Sequence, residues 1–199
     1  MRRIIPVLMV LAFPALLSAQ QSGWQLHVMG GLFTPADIEV QNIYGSAGTV
    51  QLALAVPVGS HHRVRFLGRF VSQKGDPYYI LPDFYAGKAA SLRWLNAGIL
   101  FEFHSRYETN PRIYVGAGLQ YSFGWEHIVG IGTNRGDGLG LLTAFQVQFR
   151  LAERLHLIFE PSLALNQLVF RPGKNRYRFN LSGAYYLFGF VYRLNSRSN

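Results

Sequence analysis

Eight stretches of this chain alternate residue by residue between an apolar side and a polar or small side, and no stretch carries a convincing helical period. Successive side chains of a β-strand point to opposite faces, so this alternation marks strands with one greasy face and one polar face. The stretches cover residues 23–33, 48–56, 63–73, 92–103, 112–123, 142–151, 155–166 and about 178–194. In "RVRFLGRFVSQ", Val64, Phe66 and Phe70 oppose Arg63, Arg65, Arg69 and Gln73. In "YYLFGFVYRL", Tyr186, Phe188, Phe190, Tyr192 and Leu194 oppose Tyr185, Leu187, Gly189, Val191 and Arg193. That last stretch is too short to cross a bilayer as a helix, which takes about 20 residues. The pattern predicts an all-β protein of eight antiparallel, up-and-down strands.

Composition indicates which face points outward. At 49% hydrophobic and 15% aromatic residues, the chain is greasy for one with 21 glycines and so many turns. A soluble barrel would be polar outside and apolar around a ligand cavity. Here the polar, charged and glycine face is too small and wet to be a core, which favours a transmembrane barrel with that face inside. The N-terminus agrees. Arg2 and Arg3, the apolar run from Ile4 to Leu17 and the small pair Ser18-Ala19 have the layout of a secretory signal peptide. Residues 1–19 are expected to be removed, leaving residues 20–199 as one barrel domain.

There is no cysteine, hence no disulfide framework. Once Arg2 and Arg3 are discounted, the 19 basic and 10 acidic residues leave a net charge of +7. Export takes the weight off nucleic acid as the partner and leaves an anionic membrane surface or acidic partners. The connections run long and short in turn: 34–47, 74–89, 126–138 and 171–177 against 57–62, 105–111 and 152–154. Outer-membrane barrels have short periplasmic turns and longer external loops, so both mature termini are expected in the periplasm.

The sequences "SLRWLNAGILFEFHSRYETNPRIYVGAGLQYSF", "LTAFQVQFRLAERLHLIFEPSLALN" and "YYLFGFVYRL" resemble small outer-membrane β-barrel proteins of Bacteroidetes-type bacteria, including PorT-like ones, and eight-stranded barrels of the OmpA and OmpX kind. The resemblance covers nearly the whole mature chain. It rests on strand rhythm and "YVGAG", not on a catalytic motif, and it implies an outer-membrane location. It also implies that Gly189, Tyr192 and Leu194 form the last-strand pattern read by the barrel assembly machinery. Asn199 stands where that pattern has a terminal aromatic, and Leu187 where a polar residue is usual.

An eight-stranded barrel is filled by its own side chains. The inward set includes Asn96, Gln146 and Gln148, and an interior ion-pair network is expected from Arg65, Arg69, Glu102, Arg150, Glu160 and Arg193. A buried charge without a partner is costly, so these should pair. Pro161 falls mid-strand on the lipid face, where a bulge or a side-chain bond is expected to absorb its missing N–H.

Catalytic residues do not assemble in the sequence, and no metal site, cofactor motif or nucleotide motif is present. His104-Ser105 is adjacent where lipid A deacylases space the pair by one. His127 and Asp137 share a loop without the acidic pair of omptin-type proteases, and His61-His62 reads as a solvated turn. The expectation is therefore a non-enzymatic barrel acting as a structural or interaction subunit of an envelope or secretion assembly. A lipid-modifying enzyme, a protease or a narrow channel is the alternative. Two external surfaces carry the binding expectations. Tyr78, Tyr79, Ile80, Leu81, Phe84 and Tyr85 crowd loop two with apolar area that suits a protein partner. Arg171, Lys174, Arg176 and Arg178 suit the phosphates of lipopolysaccharide.

Overall fold

Every alternating stretch becomes a strand, and the strands close on themselves. The computed structural model describes residues 23–75, 90–104, 110–130, 132–171 and 176–194. The expected signal peptide, the six apolar residues of loop two and Lys174 lie outside the described residues. The strands are β1 (Gln25–Pro35), β2 (Ala47–Val58), β3 (His62–Gly75), β4 (Ala90–His104), β5 (Arg112–Ile128), β6 (Gly132–Arg150), β7 (Leu155–Phe170), β8 (Tyr177–Asn180) and β9 (Gly183–Arg193). Neighbours in sequence pair antiparallel from β1 to β7. β8 and β9 share the eighth place in the wall: both pair with β7, with Leu181 and Ser182 as the break between them. β9 also pairs with β1, which closes the barrel.

The register gives the stagger. Around one turn of the wall, Gln25 faces Ala55, then Arg65, Leu100, Gly118, Leu142, Ala164 and Gly183, and Gly183 faces Pro35. The path returns to β1 ten residues beyond its start. A stagger of this size tilts the strands by about 40° and leaves an interior that side chains can fill.

The two faces divide as the alternation implies. Leu119, Leu139, Leu141, Leu163, Leu165, Phe188 and Phe190 are among the large apolar residues exposed on the outside. Inside lie Gln51, Arg63, Arg65, Arg69, Asn96, Glu102, Gln146, Gln148 and Glu160, all buried. The interior is less uniformly polar than expected, because Phe33, Trp94, Leu168, Phe170, Leu181 and Tyr185 fill the end away from the termini. Phe33 packs on Trp94 at 5.3 Å and on Tyr185 at 4.6 Å between ring centroids.

Three local expectations fail. The connection after β1 holds a helix, α1 (Ile38–Tyr44), capped by the Asp37 carboxylate, which accepts from the Glu39 and Val40 N–H groups. Its Val40, Ile43 and Tyr44 are buried against the apolar cluster, so this segment corks the mouth. The third long loop, expected at 126–138, does not exist in that form. β5 and β6 run on as a hairpin to Ile128 and Gly132, with Gly130 and Gly132 at φ of 83° and 115° in the turn.

"RGDGLG" is strand, not loop. A side chain at Gly136 would come within 2.8 Å of the Phe170 ring, and one at Gly138 within 1.9 Å of the Gln167 carbonyl oxygen. These glycines make room for a neighbour. Finally, Pro161 causes no bulge. The β6–β7 register is the same on either side, Ala144 facing Ser162 and Val147 facing Phe159. The ladder to β6 simply lacks the two pairs between them, since proline has no N–H to offer. Towards β9 it runs unbroken through Pro161 and Tyr186.

Candidate functional site

β3 places Arg63, Arg65 and Arg69 on its inward face, and β4 and β7 each bring one glutamate to meet them. Arg63 Nε donates to Glu102 Oε2 at 2.5 Å, and Arg65 Nη2 lies 2.9 Å from Glu102 Oε1. Arg65 Nη1 donates to Glu160 Oε2, and Arg69 Nη2 stands 3.7 Å from Glu160 Oε1. Neutral groups take up much of the remaining hydrogen-bonding capacity. Gln146 Nε2 donates to Glu160 Oε2 at 2.7 Å, and Gln148 Nε2 to Gln146 Oε1 at 2.7 Å. Arg63 Nη1 donates to Gln25 Oε1 at 2.7 Å, and Arg69 Nε to Gln51 Oε1 at 2.6 Å.

Three guanidinium groups against two carboxylates leave one excess positive charge in this cluster. Aromatic faces receive part of it. The Arg63 guanidinium carbon lies 3.5 Å from the Tyr114 ring centroid and that of Arg69 3.8 Å from Tyr185. A desolvated cation over a ring gains about 2 kcal/mol, so these contacts matter inside a dry barrel. Towards the other end, Ser122 Oγ donates to Asn96 Oδ1 at 2.6 Å and Asn166 Nδ2 to Ser122 Oγ at 2.8 Å. Above them, Tyr44 donates to Glu126 Oε1 at 2.6 Å and Tyr177 to Glu126 Oε2, which ties the cork to the wall.

Of the six residues expected in the interior network, Arg65, Arg69, Glu102 and Glu160 come together. Arg150 does not: it is exposed at the last residue of β6, at the rim. Arg193 is half buried at the last residue of β9, so it too stands at the rim and not in the cluster's centre. Arg63 was on the right face in the sequence but absent from the expected network. Its spacing of two from Arg65 was the available signal. Glu126 and Tyr44 were missed because both fell in stretches read as loop.

Ser105, which follows His104 in sequence, lies outside the described residues. His127 Nδ1 lies 2.9 Å from Thr133 Oγ1, while Asp137 accepts from Tyr121 and from Arg171 at 2.9 Å. His104 packs edge-on against His61 and Tyr114. Among the described residues no group of three His, Cys, Asp or Glu side chains could hold a metal ion.

The remaining expected residues, apart from Gly189, lie on the outer surface. Arg171, Arg176 and Arg178 are exposed around the β7–β8 connection. Tyr192 and Leu194 are exposed on the outer face. Gly189 sits at the closing seam, where an added side chain would come within 2.0 Å of the Val28 carbonyl oxygen.

No family model and no curated protein matches this chain. Solved structures do. The outer membrane protein OprG of Pseudomonas aeruginosa superposes with a TM-score of 0.65 at 15% identity, over 89% of this chain and 99% of that one. Neisserial surface protein A gives 0.62 at 12% identity, over 87% and 98%. A major outer membrane protein of Thermus thermophilus gives 0.57 at 12% identity, over 88% and 100%. At such identities the likeness is one of fold: this chain forms the closed eight-stranded barrel seen in these outer-membrane proteins.

Proposed function

We propose that the protein is a non-enzymatic outer-membrane barrel that serves as a structural or interaction subunit of an envelope assembly. The observation that carries this reading is the filled interior. Ion pairs occupy the end with the termini, an Asn–Ser–Asn chain the middle, and the aromatic cork of α1 the far mouth. Among the described residues the lumen is occupied from end to end, which supports a barrel that works through its outer surfaces. The inverted distribution of residues, apolar outside and charged inside, supports a lipid surrounding. Kinship with Bacteroidetes-type, PorT-like barrels rests on the sequence resemblance, and the leader at residues 1–19 fits export to that membrane. Such a subunit works through its external surfaces, and loop two with Tyr79, Leu81 and Phe84 is the protein-binding surface in this reading.

Planar-bilayer recording and native extraction test it together. The reconstituted barrel is expected to give no stepwise conductance. Replacing Tyr79, Leu81 and Phe84 by serine should release a co-extracted protein and leave the melting temperature unchanged. A conducting wild-type barrel, or a triple variant that loses stability and no partner, would sink the reading.

A further inference from the structure

One sector of the outer wall carries a line of cations that the register assembles from distant parts of the chain. Arg93 on β4 faces Trp125 on β5, and Trp125 faces Arg135 on β6. The Arg135 carbonyl then accepts from the Arg171 N–H at 3.4 Å. Three arginines and a tryptophan thus lie along one row of the sheet. Arg178 stands one row away, beside Val169, which faces Asp137, and Lys74 lies at the same end of β3. All these cations are exposed. Neighbouring strands are about 4.8 Å apart, and like charges directly opposite one another repel. Among the described residues the carboxylate that answers them is Asp137, ion-paired with Arg171. Among the described residues no second carboxylate stands in this row to relieve the repulsion.

Height identifies what the row meets. On β4 the outward positions Phe103, Phe101, Ile99 and Leu95 are exposed and apolar, and the next one after Leu95 is Arg93. Phe103 and Arg93 are ten residues apart, which is about 25 Å of height at 3.3 Å per residue and a tilt of about 40°. That equals the apolar band of an outer-membrane barrel, about 25 Å tall and edged by aromatic residues such as Trp125. The row therefore lies where lipid headgroups begin, at the end with the longer connections. At the other end, among the described residues, Arg112, Arg150 and Arg193 hold inward-register positions and Arg154 a turn, so the outward cations are confined to one leaflet.

We infer that Arg93, Arg135 and Arg178, flanking the Arg171–Asp137 pair, form a binding site for the phosphate groups of the outer-leaflet glycolipid, lipopolysaccharide. Guanidinium groups hold phosphate oxygens in paired, charge-assisted hydrogen bonds, and arginines spaced along one row can engage more than one phosphate of a single lipid. The site extends the four-cation loop expected from sequence to β4 and β6, and it rests on the outer-membrane reading. Its test needs neither a protein partner nor a conductance measurement, so the two can fail separately.

Barrel refolded from inclusion bodies into detergent is titrated with bisphosphorylated lipid A, with chemically dephosphorylated lipid A, and with lipid A in the presence of millimolar inorganic phosphate. Tight, salt-weakened binding of the bisphosphorylated lipid is expected, with dephosphorylated lipid A and the Arg93→Gln/Arg135→Gln/Arg178→Gln variant each weaker by about tenfold or more. Heat-dependent gel migration checks that the variant is folded, and the wild-type comparison of the two lipids stands without it. Equal binding of both lipids would mean that only the acyl chains are held, and displacement by inorganic phosphate would mean a free-ion site. Either result, or undiminished binding by the folded variant, overturns the inference.

Discussion

Glu160 shares its two carboxylate oxygens among Arg65, Arg69, Gln146 and Gln51, with all five side chains buried. Moving a carboxylate into such a place costs several kcal/mol of hydration, and only partners of opposite charge return it. Removing the charge leaves Arg65 with Glu102 alone and strips Arg69 of its carboxylate. Glu160→Gln should therefore lower the stability of the folded barrel by about 3–5 kcal/mol, read from urea unfolding in detergent by tryptophan fluorescence. Unchanged unfolding would mean that the network is not what holds this end of the barrel. The identities of Arg65, Arg69, Glu102 and Glu160 were legible because alternation alone assigns them to one face. Which of them touch was not, because Arg150 has the same parity as Gln146 and Gln148 and yet ends at the rim.

At the scale of elements, the closing seam between β1 and β9 is one of the places where no side chain can be added without a shift. Gly31 and Gly189 lie on it, and a side chain on either would come within 2.0 Å of a carbonyl oxygen of the facing strand, that of Tyr186 or Val28. Gly189→Ala should cut the yield of the heat-modifiable folded form sharply. Gly68→Ala, at a wall position where nothing lies within 4 Å, should fold normally. Equal yields for the two would show that the seam has slack. The elements that sequence reading missed have physical reasons of the same kind. α1 is seven residues long, too short to display a period, and Asp37 is its one clear start signal. The extension of β5 and β6 was hidden because Gly136, Gly138 and Gly140 have the composition of a turn. They are strand residues beneath Phe170 and against the β7 backbone. The row of Arg93, Trp125 and Arg135 could not be read from sequence at all, since three residues spread over more than forty positions align only through the register.

The whole molecule is a wall with its polarity turned inward, corked at one mouth and ion-paired near the other. This arrangement makes sense in a bilayer, where every strand must pair and no edge can remain. The central claim is that the barrel spans the outer membrane with the long connections outside and the termini in the periplasm. Because the chain contains no cysteine, single introduced thiols report position without ambiguity. Val129, exposed in the β5–β6 turn, and Ser60, exposed in the β2–β3 turn, mark the two ends. The decisive measurement is labelling of Val129→Cys and Ser60→Cys by a membrane-impermeant maleimide on intact cells. Val129→Cys should be labelled at once, and Ser60→Cys only after the outer membrane is permeabilised. Labelling of Ser60→Cys but not Val129→Cys in intact cells would invert the orientation, and equal labelling of both would contradict the spanning barrel itself.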